Sequence, residues 1–73
     1  MSRYTTVDKW GRTASYGFDH AIGYFADIEG PDGEPLEEID CSSGRNSVID
    51  FIDRYGIQMN SEHACRLFMD LPF

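Results

Sequence analysis

The fold is decided by residues 21–28, which read AIGYFADI, and by the GPDG turn at residues 30–33. In a strand, alternate side chains point to opposite faces, and here every even-numbered residue from 22 to 28 is apolar. The other face carries Phe25, so both faces hold aromatic residues, which predicts a central strand. Gly23 indicates a bulge or a close backbone approach. In the turn, Pro31 presets φ and Gly33 accepts a positive φ, which predicts a hairpin.

Three further segments complete the predicted sheet. Residues 12–18 alternate small and apolar side chains and predict a strand before the central one. A turn at residues 19–20 joins the two, and a two-residue hairpin is one option. Residues 36–41 predict a returning strand whose two apolar residues are oddly spaced, which indicates a bulge or an exposed edge. Residues 1–9 are polar and form either a frayed start or a short edge strand.

Two short helices follow the strands. Each has an apolar stripe at the spacing of one helical face. The stripe residues are Val48, Phe51, Ile52 and Tyr55 in the first helix, and Ala64, Leu67, Phe68 and Leu71 in the second. Asn46 or Ser47 is expected to cap the first helix, and Gly56 to follow its last turn. Asn60 or Ser61 is expected to cap the second, which Pro72 ends.

This order of elements, strands first and helices second, predicts an α+β fold. We expect a three- to four-stranded antiparallel sheet packed against two short C-terminal helices. The 73 residues are enough for one domain, spanning 1–73, and 41% of them are hydrophobic. No apolar run is long enough to cross a bilayer, and residues 1–7 lack the apolar segment of an export signal. A cytoplasmic protein is therefore expected, with Cys41 and Cys65 free by default and one disulfide bridge as the alternative.

The formal charge of −7 is concentrated in one segment. Between Arg12 and Arg45 there are eight acidic residues and no Lys or Arg, so this segment carries −8 and the rest of the chain +1. Such a balance argues against direct binding of nucleic acid or an anionic membrane. A field of one sign favours encounter with a basic protein surface. The alternatives are a solubilising surface and the charged protection of an edge strand.

Seven acidic side chains of this segment are the candidate partner-binding residues. They are Asp27, Glu29, Asp32, Glu34, Glu37, Glu38 and Asp40. The five aromatic residues at positions 10–25 provide either hot spots of an interface or a buried core. These aromatics are Trp10, Tyr16, Phe18, Tyr24 and Phe25.

No catalytic, metal or cofactor site is expected from the sequence. His63 and Cys65 are two positions apart on a helix, so they point roughly 200° apart and cannot chelate one ion. His20 and Cys41 have no partner at a zinc-ligand spacing. A Cys41 nucleophile would need a base held by an orienting acid, but Asp19 and His20 are adjacent and face opposite sides of a strand. No glycine-rich phosphate loop is present.

The run YGFDHAIGYF at residues 16–25, with DLPF at residues 70–73, resembles small acidic proteins of phages and mobile elements. That class includes the anti-CRISPR proteins. The resemblance covers about half of the chain, and it carries over no functional residue. It implies a non-enzymatic inhibitor in the bacterial cytoplasm that binds a Cas effector subunit or a surveillance complex. We therefore expect the acidic residues to occupy a basic nucleic-acid-binding surface.

The alternative is a small structural or regulatory module that uses an apolar helix face to form a homodimer or bind a partner. Salt distinguishes the two, because screening weakens the acidic mode and leaves apolar contacts in place.

Overall fold

The computed structural model describes residues 2–73, and in it all strands precede the helices. Its elements are β1 (Ser2–Val7), β2 (Thr13–Asp19), β3 (Gly23–Glu29), β4 (Pro35–Asp40), α1 (Arg45–Tyr55) and α2 (Ser61–Phe68). A short 3₁₀ helix at Cys41–Ser43 joins β4 to α1. The strands form one antiparallel sheet in the order β1-β2-β3-β4. The predicted α+β fold is confirmed, with four strands, and the polar N-terminal segment supplies the edge strand β1.

The core lies between one face of the sheet and the helices. Phe51 of α1 has no exposed surface and packs with Ala14 and Ile28 from the sheet. Val48, one turn earlier, is equally buried and packs with Tyr24. Burying a side chain of this kind contributes about 1.5–3 kcal/mol relative to exposing it. The predicted apolar face of β3 is therefore the face that the helices cover. None of the helices within residues 2–73 has the length and apolar character needed to cross a bilayer.

Glycines with a positive φ shape the turns on either side of β3. The GPDG turn forms as predicted, with the Gly33 amide donating to the Gly30 carbonyl at 3.0 Å and Gly33 at a φ of +79°. The turn after β2 is longer than the two-residue option, because residues 20–22 form the loop and β3 begins at Gly23. Gly23 has a φ of +83°, and a Cβ there would lie 3.2 Å from Cys41 Sγ. The close approach predicted at this glycine is present.

The helix ends differ from the prediction at two places. α1 begins at Arg45 with Gly44 as its N-cap, and not at Asn46 or Ser47. The 3₁₀ helix sets this start, because the Gly44 amide donates to the Cys41 carbonyl. α2 ends at Phe68, so the predicted stripe residue Leu71 lies beyond it.

Two of the predicted caps form. Asn60 accepts from the Glu62 amide at 2.8 Å and caps α2. Gly56 is left-handed after the last turn of α1, where its amide donates to the carbonyls of Ile52 and Asp53.

The C-terminal residues close the core beside β1 and β2. The left-handed Asp70 turns the chain after α2, and the Leu71 amide donates to the Arg66 carbonyl at 2.8 Å. The Tyr24 hydroxyl then donates to the Leu71 carbonyl at 2.6 Å. Burial raises the pKa of this phenol, which stays a donor. Phe73 completes the closure with ring centres 5.8 Å from Tyr16 and 5.4 Å from Tyr24.

Within residues 2–73, no layer covers the face of the sheet opposite the helices, and this face depends on Gly17. The Phe25 ring lies across this glycine, so that a Cβ at Gly17 would stand 2.7 Å from Phe25 Cζ. The same Cβ would also overlap the Ser2 carbonyl oxygen on β1. Arg3 extends over the Phe25 ring, with its guanidinium carbon 5.7 Å from the ring centre. Gly17 therefore sets how closely β1 approaches β2 and how flat this face is.

Gly17→Ala is expected to destabilise the protein by about 2–3 kcal/mol, because the added methyl overlaps backbone as well as a ring. Gly30→Ala is the matched control, because its new Cβ would lie 3.3 Å from the flexible end of Leu36 and 3.6 Å from the Glu34 carbonyl oxygen, without the overlap found at Gly17. That variant is expected to change stability by less than about 1 kcal/mol. Urea denaturation followed by circular dichroism measures both. Equal effects of the two substitutions would show that the approach of β1 is not constrained at Gly17.

Candidate protein-interaction surfaces

The uncovered face of the sheet brings three of the seven predicted acidic residues together. Asp27 lies directly opposite Glu38 across β3 and β4, and Asp40 lies opposite Phe25. With Arg3, these side chains line a groove of about 480 Å³. We call these five residues the acidic groove. Three carboxylates and one guanidinium make this groove complementary to a basic partner.

Arg3 neutralises only part of the acidic groove. Its Nη2 lies 2.8 Å from Asp27 Oδ2, while Asp27 Oδ1 is buried without a hydrogen-bond partner among residues 2–73. Asp40 accepts from the Ser42 amide at 2.8 Å, and the hydrogen bonds from Ser42 lower the pKa of this carboxyl. Like charges directly opposite each other in a sheet repel, so Glu38 beside Asp27 costs stability in the free protein.

The other four predicted residues lie outside the groove. Glu29, Asp32 and Glu34 are in or beside the turn between β3 and β4, and none forms an ion pair within the part of the chain that the structure describes. Glu37 lies on the helix side of the sheet, opposite the buried Ile28. It accepts a hydrogen bond from the Tyr55 hydroxyl, and that bond raises the pKa of the phenol. Glu37 is therefore separate from the face that holds Asp27, Glu38 and Asp40.

The aromatic residues divide between core and surface. Tyr16 and Tyr24 are each 3% exposed and belong to the core, and Phe18 and Phe25 are half-buried. Trp10 is 62% exposed and lies in the turn between β1 and β2. The sequence alone does not tell a buried Trp10 from an exposed one, because Trp10 lies in a turn and the period-two alternation of strands does not extend there.

Trp10 belongs to a cationic surface that the sequence analysis missed. Lys9 Nζ is 4.4 Å and the Arg12 guanidinium carbon 4.8 Å from the centre of the Trp10 ring. Tyr55 meets the indole edge-on at 6.3 Å, and Arg54 lies 5.2 Å from the Tyr55 ring centre. We call Lys9, Trp10, Arg12, Arg54 and Tyr55 the Trp10 patch. In the sequence, only the run KWGR at residues 9–12 indicates this patch, because Arg54 and Tyr55 belong to α1 and are distant along the chain.

Asp8 holds the turn that carries the Trp10 patch. Its side chain is buried and accepts from the Trp10 and Arg12 amides, each at 2.9 Å, and from Arg12 Nε at 2.7 Å. Burial alone raises the pKa of Asp8, but the hydrogen bonds from Arg12 and Trp10 outweigh it and leave the pKa below 3.8. The carboxylate is therefore the form that the fold stabilises.

A third surface is an apolar groove of about 580 Å³ between α1 and α2. Its apolar lining includes Ile49, Ile52, Met59, Leu67 and Phe68. Phe68 is 67% exposed, and Met69 beside it is 63% exposed. This groove is the apolar helix face on which the alternative function depends.

The candidate ligands and nucleophiles are engaged in local contacts. His63 Nδ1 lies 2.7 Å from the Tyr16 hydroxyl, and the His20 ring meets Phe18 edge-on at 5.3 Å. Cys41 and Cys65 are unbridged, and Cys65 lies 3.6 Å from the Met69 sulfur. Within residues 2–73, no three His, Cys, Asp or Glu side chains are placed to hold a metal ion.

Asp8→Asn is expected to destabilise the protein by about 2 kcal/mol near neutral pH, because the amide cannot accept all three hydrogen bonds of the carboxylate. The folded pKa lies below the usual 3.8, so this contribution is present above pH 3.8 and is lost as the pH falls through the folded value. The difference between wild type and variant should therefore shrink in acid. Urea denaturation across this pH range measures it, with exposed Asp53→Asn as the control. A difference that stays constant into acid would contradict a charge-dependent role of Asp8.

No protein-family model matches this chain, and no curated protein or solved structure matches it. The anti-CRISPR resemblance therefore stays a prediction, and no residue receives a role from a relative. What can be proposed about function rests on the charge, the exposure and the contacts of the residues described above.

Proposed function

We propose that this protein is a non-enzymatic inhibitor that covers a basic nucleic-acid-binding surface of another protein, such as a Cas effector subunit. The observation that carries the proposal is the acidic groove, in which Asp27, Glu38 and Asp40 share one face with Arg3 as their counter-charge. A partner's Lys or Arg side chains would relieve the repulsion between Asp27 and Glu38. Binding would therefore recover free energy that the isolated protein lacks.

Competition with nucleic acid is expected because the carboxylates of this protein would pair with the same basic side chains of the partner that bind phosphates. Lys and Arg side chains that bind phosphates provide most of the affinity for nucleic acid, and that affinity is electrostatic. Glu38 has no ion-pair partner among residues 2–73, and the same holds for Asp32 and Glu34 in the adjacent turn. These carboxylates extend the acidic surface along the edge strand β4. Occupying phosphate-binding residues in this way needs neither a catalytic group nor a cofactor.

Two exposed apolar side chains lie on the acidic surface and can contact a partner in addition to the charged residues. Ile22 lines the acidic groove and is 49% exposed. Leu36 is 56% exposed and lies beside the turn, where a Cβ added at Gly30 would stand 3.3 Å from it. Interfaces combine a desolvated apolar centre with a polar rim. Ile22 and Leu36 are therefore expected to add apolar contact area, while the carboxylates keep the binding dependent on salt.

A second candidate function is supported by the apolar groove between α1 and α2. The exposure of Phe68 and Met69 favours a contact with a second copy or with an apolar partner segment. Such a contact persists at high salt, because it does not depend on charge.

Glu34→Lys with Glu38→Lys is expected to weaken binding to the target by at least about ten-fold, because charge reversal places lysines against the partner's basic residues. The exposed pair Asp50→Lys with Asp53→Lys on α1 is the control, since it makes the same change in net charge on another surface. Glu37 is left unchanged, because its hydrogen bond to Tyr55 ties it to the fold.

A tagged pull-down from bacterial lysates that carry CRISPR systems supplies the target, and calorimetry measures each variant. The proposal predicts that a Cas effector is recovered and is released by a salt wash. Equal binding by the double variant and wild type would contradict the acidic-surface model. Recovery of a second copy alone, resistant to salt, would favour the apolar groove.

A further inference from the structure

The Trp10 patch gathers cationic side chains on an otherwise acidic molecule, and it stays net positive after Asp8 pairs with Arg12 and Glu37 accepts from Tyr55. The chain has six Lys and Arg residues, and three of them, Lys9, Arg12 and Arg54, lie around Trp10 and Tyr55. The proposed inhibitory contact, which uses carboxylates, leaves this patch unused. Its charge is opposite to that of the acidic groove, so it suits a different chemical class of ligand.

The patch is organised before any ligand arrives. The buried Asp8 fixes the backbone of the turn through the Trp10 and Arg12 amides and holds Arg12 through Nε. The Lys9 amide donates to the Tyr55 carbonyl at 3.0 Å, which ties the turn to the end of α1. A site with a fixed backbone loses less conformational entropy on binding than a flexible loop would.

The exposed surface of the patch is both aromatic and cationic. Trp10 is 62% exposed, and Lys9 and Arg54 are also exposed beside it. Trp and Arg are the residues most enriched among interface hot spots. An exposed indole with flanking cations is chemically complementary to a segment that presents apolar side chains between carboxylates.

We propose that the Trp10 patch is a binding site for an acidic protein segment, in which carboxylates meet Lys9 and Arg54 and an apolar side chain covers Trp10. The acidic turn beside the patch favours this ligand over nucleic acid. Glu29, Gly30 and Pro31 line one depression with Gly11 and Arg12, so negative charge begins at the edge of the patch. A nucleic acid carries a charge at every phosphate and would extend into that repulsive surface, whereas a short acidic segment fits within the patch.

The test uses a fluorescein-labelled peptide of alternating glutamate and leucine, with an oligothymidylate of the same length as the competing class. Trp10 is the only tryptophan of the chain, so its emission reports directly on the patch. Peptide anisotropy gives the affinity independently of that signal. The peptide is expected to bind saturably, to change the Trp10 emission, and to bind more tightly than the oligothymidylate.

Arg54→Glu and Trp10→Ala are each expected to weaken peptide binding by about ten-fold. The control is Arg66→Glu, which places the same charge change in the last turn of α2. Circular dichroism confirms that each variant is folded. The proposal is overturned if the peptide fails to bind, if the oligothymidylate binds more tightly, or if Arg66→Glu weakens binding as much as Arg54→Glu. These outcomes leave the proposed inhibitory contact untouched, because that contact is measured with Glu34 and Glu38.

Discussion

One-sided burial of the sheet is the constraint on which the rest of the structure depends. Two short helices supply enough apolar surface to cover one face of four strands, and Phe51 and Val48 seal that face with no exposed surface of their own. The other face must then hold polar side chains or leave apolar ones in water. Asp27, Glu38 and Asp40 fill it, and the cost is repulsion between carboxylates that a single arginine only partly offsets. The acidic groove is thus a direct consequence of how the core is built.

The antiparallel order also places opposite charges side by side. The turn between β1 and β2 and the turn between β3 and β4 lie at the same end of the sheet, where they line one depression of about 260 Å³. One turn carries the Trp10 patch, and the other carries the acidic residues Asp32 and Glu34. The buried Asp8 holds the cationic turn by accepting hydrogen bonds from the Arg12 amide and from Arg12 Nε. A partner that approaches this end therefore meets both signs of charge in a fixed arrangement.

The sequence was sufficient for the fold because local signals and burial agree. Period-two alternation placed Tyr24 and Ile28 on the covered face, and turn chemistry placed the GPDG hairpin.

The sequence was insufficient where residues from distant segments meet. The sequence predicts one binding surface for Glu37 and Glu38, but the register of β4 and the hydrogen bond from Tyr55 place Glu37 on the helix side. The Trp10 patch combines a turn with the end of α1, and no local pattern reports such a contact. Likewise, the start of α1 depends on the 3₁₀ helix before it, and not on the better capping residues Asn46 and Ser47.

The central claim is that the uncovered acidic face competes with nucleic acid for one basic surface. The most direct measurement is an order-of-addition experiment on the purified target complex with labelled DNA, followed by anisotropy. The account predicts that protein added first prevents DNA binding, that DNA added first blocks the protein, and that raising the salt from about 50 mM to about 500 mM weakens the inhibition. Formation of a ternary complex, in which the target holds the protein and the DNA together, would contradict the account.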